Sequence, residues 1–317
     1  MGTVKDKSNN PLPGANVYFD NSSLAVITGA DGEFDLSMNT KLNLTLVVSY
    51  IGYKTQYLKD YSFNERLNIV LEEELNVLKE VTIHEQLFTR KEKMELFRQQ
   101  FFGTTKSAKK ATIKNEDEIY FTYDKATNSL YAYSDAPLEI KNPYLGYTIF
   151  YELESFRVDF IKRSISSSDV KSIFYAGYSR FEEVVSDAEM LKKREKQYRG
   201  SALHFFRSLG NQELTKNKFQ IYKDGLLRLP ADCFALKDTV GMREVTVKKV
   251  NRELKDNEVF YNILYDGTER SRVNFSTVSF FVDYLGNYSS LEKIFLQGEF
   301  GRKRIADMLP LNYGIEN

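Results

Sequence analysis

The chain of 317 residues has no tryptophan, one cysteine, two histidines and six prolines. A lone thiol, Cys233, excludes an internal disulfide, and its setting in Leu229-Pro230-Ala231-Asp232-Cys233-Phe234-Ala235-Leu236 is that of a small buried hydrophobe rather than a nucleophile. The two imidazoles, His84 and His204, stand far apart with no cysteine pair, so the usual ligand set of a zinc site is missing and neither a metal nor a cofactor is expected. An excess of charge is absent as well. Lys plus Arg and Asp plus Glu are 44 each, and no basic run exceeds the three residues of Lys192-Lys193-Arg194, so neither nucleic acid nor an anionic membrane is recruited by a global field. Apolar runs stop at strand length, as in Leu44-Thr45-Leu46-Val47-Val48, far short of a membrane helix. No P-loop, G-x-G-x-x-G or H-E-x-x-H occurs.

What is present is ample core material. A hydrophobic content of 42% supports ordinary cores, and the length suggests two domains. The 23 Phe and 21 Tyr suit β-sheet cores, and with no Trp among them a dedicated carbohydrate site is disfavoured.

The first 84 residues alternate. Ala15, Val17 and Phe19 share one face of a half-buried strand, while Pro11 and Pro13 remove ladder donors and confine their segment to an edge or bend. Asp31-Gly32, between Ala25-Val26-Ile27 and Phe34-Asp35-Leu36, predicts a hairpin, since both residues tolerate the positive φ of a tight turn. Leu42, Leu44, Leu46 and Val48 predict a further strand, broken at Gly52 between Tyr50 and Tyr53, which pack together. Leu67, Ile69 and Leu71 make another, and Val77, Leu78, Val81 and Ile83 an exit strand.

Four motifs give this stretch a likeness: Gly2-Thr3-Val4-Lys5-Asp6, Pro11-Leu12-Pro13-Gly14-Ala15-Asn16-Val17, Thr28-Gly29-Ala30-Asp31-Gly32-Glu33-Phe34 and Ser49-Tyr50-Ile51-Gly52-Tyr53. In order and wording they resemble the carboxypeptidase regulatory-like module, a prealbumin-like β-sandwich that heads many Bacteroidetes envelope proteins, including SusC-like TonB-dependent receptors. The resemblance implies an accessory rather than an enzyme, an exported protein of the periplasm or outer membrane, and a targeting segment upstream of Met1 through which any membrane association would run. The module's usual Asp after the Thr of the third motif is Gly29 here. Asp31 is then the only carboxylate of that turn, too few oxygens for a hard cation.

Beyond residue 84 the periodicity changes. Leu87, Phe88, Met94, Phe97, Phe101 and Phe102 recur at three and four, predicting an amphipathic linking helix within 85–112 that ends at Gly103 and lays its Phe/Met stripe on the following domain. Residues 113–317 are expected to form a β-rich α+β domain. A hairpin joins Ile119-Tyr120-Phe121-Thr122-Tyr123 to Leu130-Tyr131-Ala132-Tyr133, and two strand-like runs fill Tyr147 to Phe160. A helical insert follows at about 186–216: Ser186-Asp187-Ala188-Glu189 has the form of a capping box, Gly200 interrupts, and Ser201 caps a second helix, Ala202 to Leu209. Strands return at Val245–Val247, Val259–Tyr265, Val273–Phe275, Ser279–Tyr284 and Lys293–Gln297, and a short helix runs from Arg302 to Leu309, stopped by Pro310.

The only cluster with reactive chemistry is Tyr198, Ser201, His204, Arg207 and Ser208, where a serine and a histidine on one helix face make half of a nucleophile–base pair. Without a G-x-S-x-G elbow or an orienting third group, Ser201 is read as a helix cap and His204, beside Phe205 and Phe206, as a packing residue. Segments such as Ala136-Pro137-Leu138-Glu139-Ile140-Lys141-Asn142-Pro143-Tyr144, Tyr198-Arg199-Gly200-Ser201-Ala202-Leu203-His204 and Ala306-Asp307-Met308-Leu309-Pro310-Leu311-Asn312-Tyr313 resemble the body of a Bacteroidetes group known only by its carboxypeptidase-like regulatory domain. Three functions stay open: a non-catalytic envelope accessory or binding protein that contacts an envelope protein or a surface glycan, a hydrolase of unrecognised type using the insert around Ser201 and His204, and a periplasmic sugar- or peptide-binding protein.

Overall fold

The computed structural model describes residues 1–36, 44–59, 61, 65–74, 87–249 and 258–315. The protein is mainly β, as the sequence predicts. The seven N-terminal strands are β1 (Gly2–Asp6), β2 (Asn16–Phe19), β3 (Ala25–Ile27), β4 (Glu33–Phe34), β5 (Leu46–Ser49), β6 (Gln56–Leu58) and β7 (Leu67–Leu71). They form a sheet of order β4-β1-β7, with β1 and β7 parallel, and an antiparallel sheet of order β3-β2-β5-β6. Val4, Phe34, Ile69 and Leu71 of the first sheet and Val17, Phe19, Leu46 and Val48 of the second share one buried cluster, which makes the pair a sandwich.

The turn at Asp31-Gly32 exists, but it closes no hairpin. β3 pairs with β2 and β4 pairs with β1, so the chain changes sheets there. Gly32 has φ of +71°, its carbonyl accepts from the Val4 amide at 2.8 Å, and a side chain on it would meet the Val4 oxygen at 2.4 Å. Positive φ at Gly32 marks the turn and says nothing of which strand each arm joins. Tyr50 and Tyr53 do pack, 5.5 Å apart across Gly52. Leu42 and the exit strand Val77 to Ile83 lie outside the described residues.

α1 (Arg90–Phe102) opens with a capping box between Thr89 and Glu92 and ends at Gly103, φ +87°. Its Met94, Leu96, Phe97, Phe101 and Phe102 enter the core of a six-stranded sheet, as the helical periodicity predicts. That sheet comprises β8 (Thr112–Ile113), β9 (Ile119–Asp124), β10 (Ser129–Ser134), β11 (Leu138–Asn142), β12 (Tyr147–Phe160) and β13 (Val170–Glu183). β12 is its spine: one edge pairs with β13, and the other pairs first with β11 and then with β10. The two runs expected between Tyr147 and Phe160 are this single strand. An irregularity between Leu153 and Ser155 shifts the buried set from Tyr147, Ile149 and Tyr151 to Phe156, Val158 and Phe160, so alternation breaks where pairing continues.

α2 (Ala188–Tyr198) is capped by Asp187, whose carboxylate accepts from the Met190 amide at 2.8 Å, one residue later than the expected cap at Ser186. α3 (Ala202–Gly210) starts at Ser201 as expected. It is no surface appendage: Phe205, Phe206 and Leu209 enter a second core beneath the remaining strands. Those are β14 (Phe219–Lys223), β15 (Leu226–Arg228), β16 (Phe234–Asp238), β17 (Arg243–Val247), β18 (Val259–Tyr265), β19 (Glu269–Phe275), β20 (Ser279–Val282) and β21 (Ile294–Gly298), with the short α4 (Pro230–Cys233) between β15 and β16. The helix expected from Arg302 to Leu309 is split into α5 (Glu299–Arg302) and a 3-10 turn at Ile305–Asp307, because Lys303 pairs as a β-bridge with Gly103 at the end of α1.

The sandwich sits on β13. The Ser179 amide donates to Asp20 at 2.8 Å, the Asn21 amide to the Ser179 oxygen at 2.7 Å, and the Phe181 amide to the Ser22 oxygen at 2.9 Å. Leu285 and Leu311, from the far end of the chain, complete the sandwich's apolar cluster.

Candidate functional site: the cleft beside His204

Of the five clustered residues named from sequence, all but Ser201 converge on an open cleft of about 500 Å³ between α2, α3 and the 211–218 turn. Tyr198, His204, Arg207 and Ser208 line it with Asn217 and Tyr265. The helix break at Gly200 makes this convergence possible, since its φ of +65° folds α3 back toward α2.

The hydrogen bonds decide the cleft's chemistry. Ser201 Oγ accepts from the His204 amide at 3.1 Å, the work of a helix cap. The His204 Nδ1 accepts from the Gly200 amide at 3.2 Å, which assigns the ring proton to Nε2. Ser208 Oγ donates to the His204 carbonyl at 2.6 Å and accepts from Asn217 at 2.9 Å. Neither hydroxyl is bonded to the imidazole, so no nucleophile–base pair forms. The His204 ring lies among Tyr198, Phe219 and Tyr265 at 4.7, 4.9 and 5.6 Å. Burial, helped by Arg207 and Arg199, lowers its pKa to about 4, leaving it neutral at pH 7.

Arg207 is a fastener. Its guanidinium donates to the carbonyls of Leu285, Leu311 and Tyr313 at 3.0, 2.7 and 2.9 Å and to the Tyr198 hydroxyl at 3.1 Å. The other cations of the cleft are paired: Arg199 with Glu195, Lys216 with Glu213, and Lys218 with Asp266. The cleft therefore offers side-chain amides and phenol rings to a small polar molecule, and its one cation without a carboxylate partner among the described residues, Arg207, has its donors taken by carbonyls and a hydroxyl. Cys233 is buried, and burial pushes its thiol up to about 11, so it is not a thiolate at neutral pH. Among the described residues no three His, Cys, Asp or Glu side chains gather to hold a metal ion. His84 lies outside the described residues.

A second polar cluster, invisible in sequence, lines the seam between the sandwich and the β12–β13 hairpin. Glu152 accepts from the Tyr18 hydroxyl at 3.2 Å and the Tyr57 hydroxyl at 2.6 Å, and the Tyr57 ring stacks on Tyr178 at 4.1 Å. Burial raises Asp20 to about 7 against the two amides that hold it, and raises Glu152 as well. These groups come from segments as far apart as the 159 residues between Asp20 and Ser179, and no spacing could announce them.

Residues 1–83 match the CarboxypepD_reg-like domain. Over 82 residues, 26% of this chain, the sequence is 37% identical to the TonB-dependent receptor SusC of Bacteroides thetaiotaomicron. The match spans 8% of that receptor's length. The regulatory-like module read from the four N-terminal motifs is thus present.

Proposed function

We propose that the protein is a non-catalytic accessory of the bacterial envelope, exported to the periplasm or outer membrane, that works by contact with an envelope protein or surface ligand. The observation that carries this reading is the CarboxypepD_reg-like module at residues 1–83, shared with a TonB-dependent receptor and seated on β13. The cleft beside His204 supports it from the other side, because Ser201 Oγ, Ser208 Oγ and the His204 Nδ1 are engaged in backbone hydrogen bonds. The same reading divides the chain into a sandwich at 1–84, a linking segment with its helix at 85–112, and a β-rich body at 113–317.

Fractionation of the native organism expressing the full gene, followed by pull-down from the membrane and periplasmic fractions, tests the proposal. Recovery in the envelope with a bound partner is expected. Recovery only from cytosol, or turnover of a small molecule by the isolated protein, overturns it. Limited proteolysis tests the division separately: the first cut is expected between Glu85 and α1, and a stable fragment spanning that stretch, with no product near it, would dissolve the boundary.

A further inference from the structure

The outer face of the six-stranded sheet is only half covered. Along β12 and β13 the sandwich hides Glu152, Tyr178 and Arg180, which meet Tyr18, Tyr57 and the Ser22 backbone. Beyond Glu154, which the Tyr57 hydroxyl still reaches at 3.1 Å, the described residues of the sandwich make no hydrogen bond or ring contact with the continuation of this face across β13, β12, β10 and β9. Register places Tyr120 directly opposite Tyr133, and sets Tyr131, Arg157 and Phe174 side by side on three neighbouring strands. Tyr120 and Tyr133 are 53% and 46% exposed, and the rings of Tyr131 and Tyr133 lie nearly parallel, 14° apart in plane and 6.5 Å between centres. Among the described residues the three phenol hydroxyls have no hydrogen-bond partner.

We propose that this bare tyrosine face binds a neutral glycan chain, laid flat across β9 and β10 beside the edge of the sandwich. Three observations select that occupant. All the large apolar groups of the face are aromatic: the outward positions of β9, β10 and the bare halves of β12 and β13 include no Leu, Ile, Val or Met, the residues an apolar protein partner would meet. Its cation is neutralised, since Arg157 pairs with Asp159 at 3.2 Å, and Asp159 is further held by Ser129 and Ser172, each at 2.8 Å, so an anionic polymer finds that cation already paired. Flat rings with free hydroxyls at their tips match a ligand with apolar faces and a polar rim, which is how a sugar ring presents itself. The choice of tyrosine explains how such a face can exist in a chain without tryptophan. The inference deepens the contact reading above and rests on it.

The test is affinity electrophoresis of the full chain through gels carrying a neutral glucan, mannan or xylan, with alginate as the charged control. Retardation by at least one neutral polysaccharide is expected. The Tyr131→Ala/Tyr133→Ala variant should lose binding by about tenfold or more while staying folded, with a modest drop in thermal midpoint, because Tyr133 is exposed and Tyr131 half-buried. Asn217→Ala, in the cleft beside His204, should bind as the parent does. Absence of retardation by every neutral polysaccharide, stronger retardation by alginate, or full binding by the tyrosine variant overturns the proposal. An envelope-located protein that ignores all polysaccharides defeats this inference alone, whereas a cytosolic protein that still binds glucan defeats the envelope reading alone.

Discussion

Two seams hold this molecule together, and they solve the burial of charge in opposite ways. Where the sandwich meets the β12–β13 hairpin, the acids Asp20 and Glu152 are satisfied by the Ser179 and Asn21 amides and by tyrosine hydroxyls, while the neighbouring Arg180 pairs with Glu182. Where α2 meets the start of β12, the buried group is Arg194, 1% exposed and fully spent. Its guanidinium donates to the carbonyls of Leu145, Gly146 and Val185 at 2.8, 3.3 and 2.6 Å, lies 3.2 Å from Glu183, and stacks over Tyr147 at 4.0 Å. A carboxylate deprived of water can relieve its cost by taking a proton, but a guanidinium keeps its charge through the accessible pH range. The acidic seam is therefore a joint whose strength follows pH, and the arginine seam is a rivet that does not.

Breaking the rivet should cost most. Arg194→Ala removes the guanidinium donor from the Leu145 and Val185 carbonyls, while the Gly146 carbonyl keeps the Val184 and Val185 amides, and should lower unfolding stability by about 2–4 kcal/mol in urea titrations. Arg194→Lys, which keeps the charge but not the planar fork, should recover only part of this. A loss no larger than that of an exposed arginine would mean that water replaces the guanidinium and that the seam is not closed.

The next largest effect should come from the acidic seam, with a sign that depends on pH. Asp20 in the folded protein titrates at about 7 rather than 3.8, so the folded state binds the extra proton. Its stability contribution is present at low pH and fades as pH rises through 7. The groups facing it are Glu152, which raises its pKa, and Lys59 with the Ser179 and Asn21 amides, which lower it. Asp20→Asn should be more stable than the parent by about 1–3 kcal/mol at pH 8, with the advantage shrinking as pH falls below 7 and gone near pH 4. Paired melts across that range decide the matter, and a pH-independent difference would remove the seam's titration.

His204→Ala should lower stability by about 1–3 kcal/mol, because a ring packed among three aromatics is lost, while leaving no catalytic phenotype. Here the pH trend reverses. A histidine lowered to about 4 withholds a proton that the unfolded chain accepts, so the parent loses stability between pH 6.5 and 4 and the variant should lose less. An unchanged midpoint together with lost turnover in an activity screen would instead restore a hydrolase centred on His204. The smallest effect should be that of Ser201→Ala, about 1 kcal/mol in thermal melts, the worth of one helix cap.

Legibility followed the range of the cause. Ser201 as a cap, Gly103 as a stop, and the Met94–Phe97–Phe101 stripe are set by interactions within a turn or two of chain, and the sequence displays them. β13 shows no period-2 signal because few of its residues are fully buried, Ser179 and Phe181 among them, and part of its outer face, at Tyr178 and Arg180, is covered by a distant part of the chain. Arg194 sits in a helix of charged residues and looks solvated; its burial depends on the carbonyls of the loop at Leu145 and Gly146.

By itself the sequence determined the class of the protein, its N-terminal module, and the local starts and stops of its helices, because caps, turns and alternation act over a few residues. Only the tertiary structure decided that the Asp31-Gly32 turn changes sheets, that the serine and histidine near α3 serve the backbone, and that acids, tyrosines and an arginine from distant segments meet in two unlike seams. Desolvation and hydrogen-bond satisfaction depend on what lies alongside in space, and a linear pattern carries no record of that.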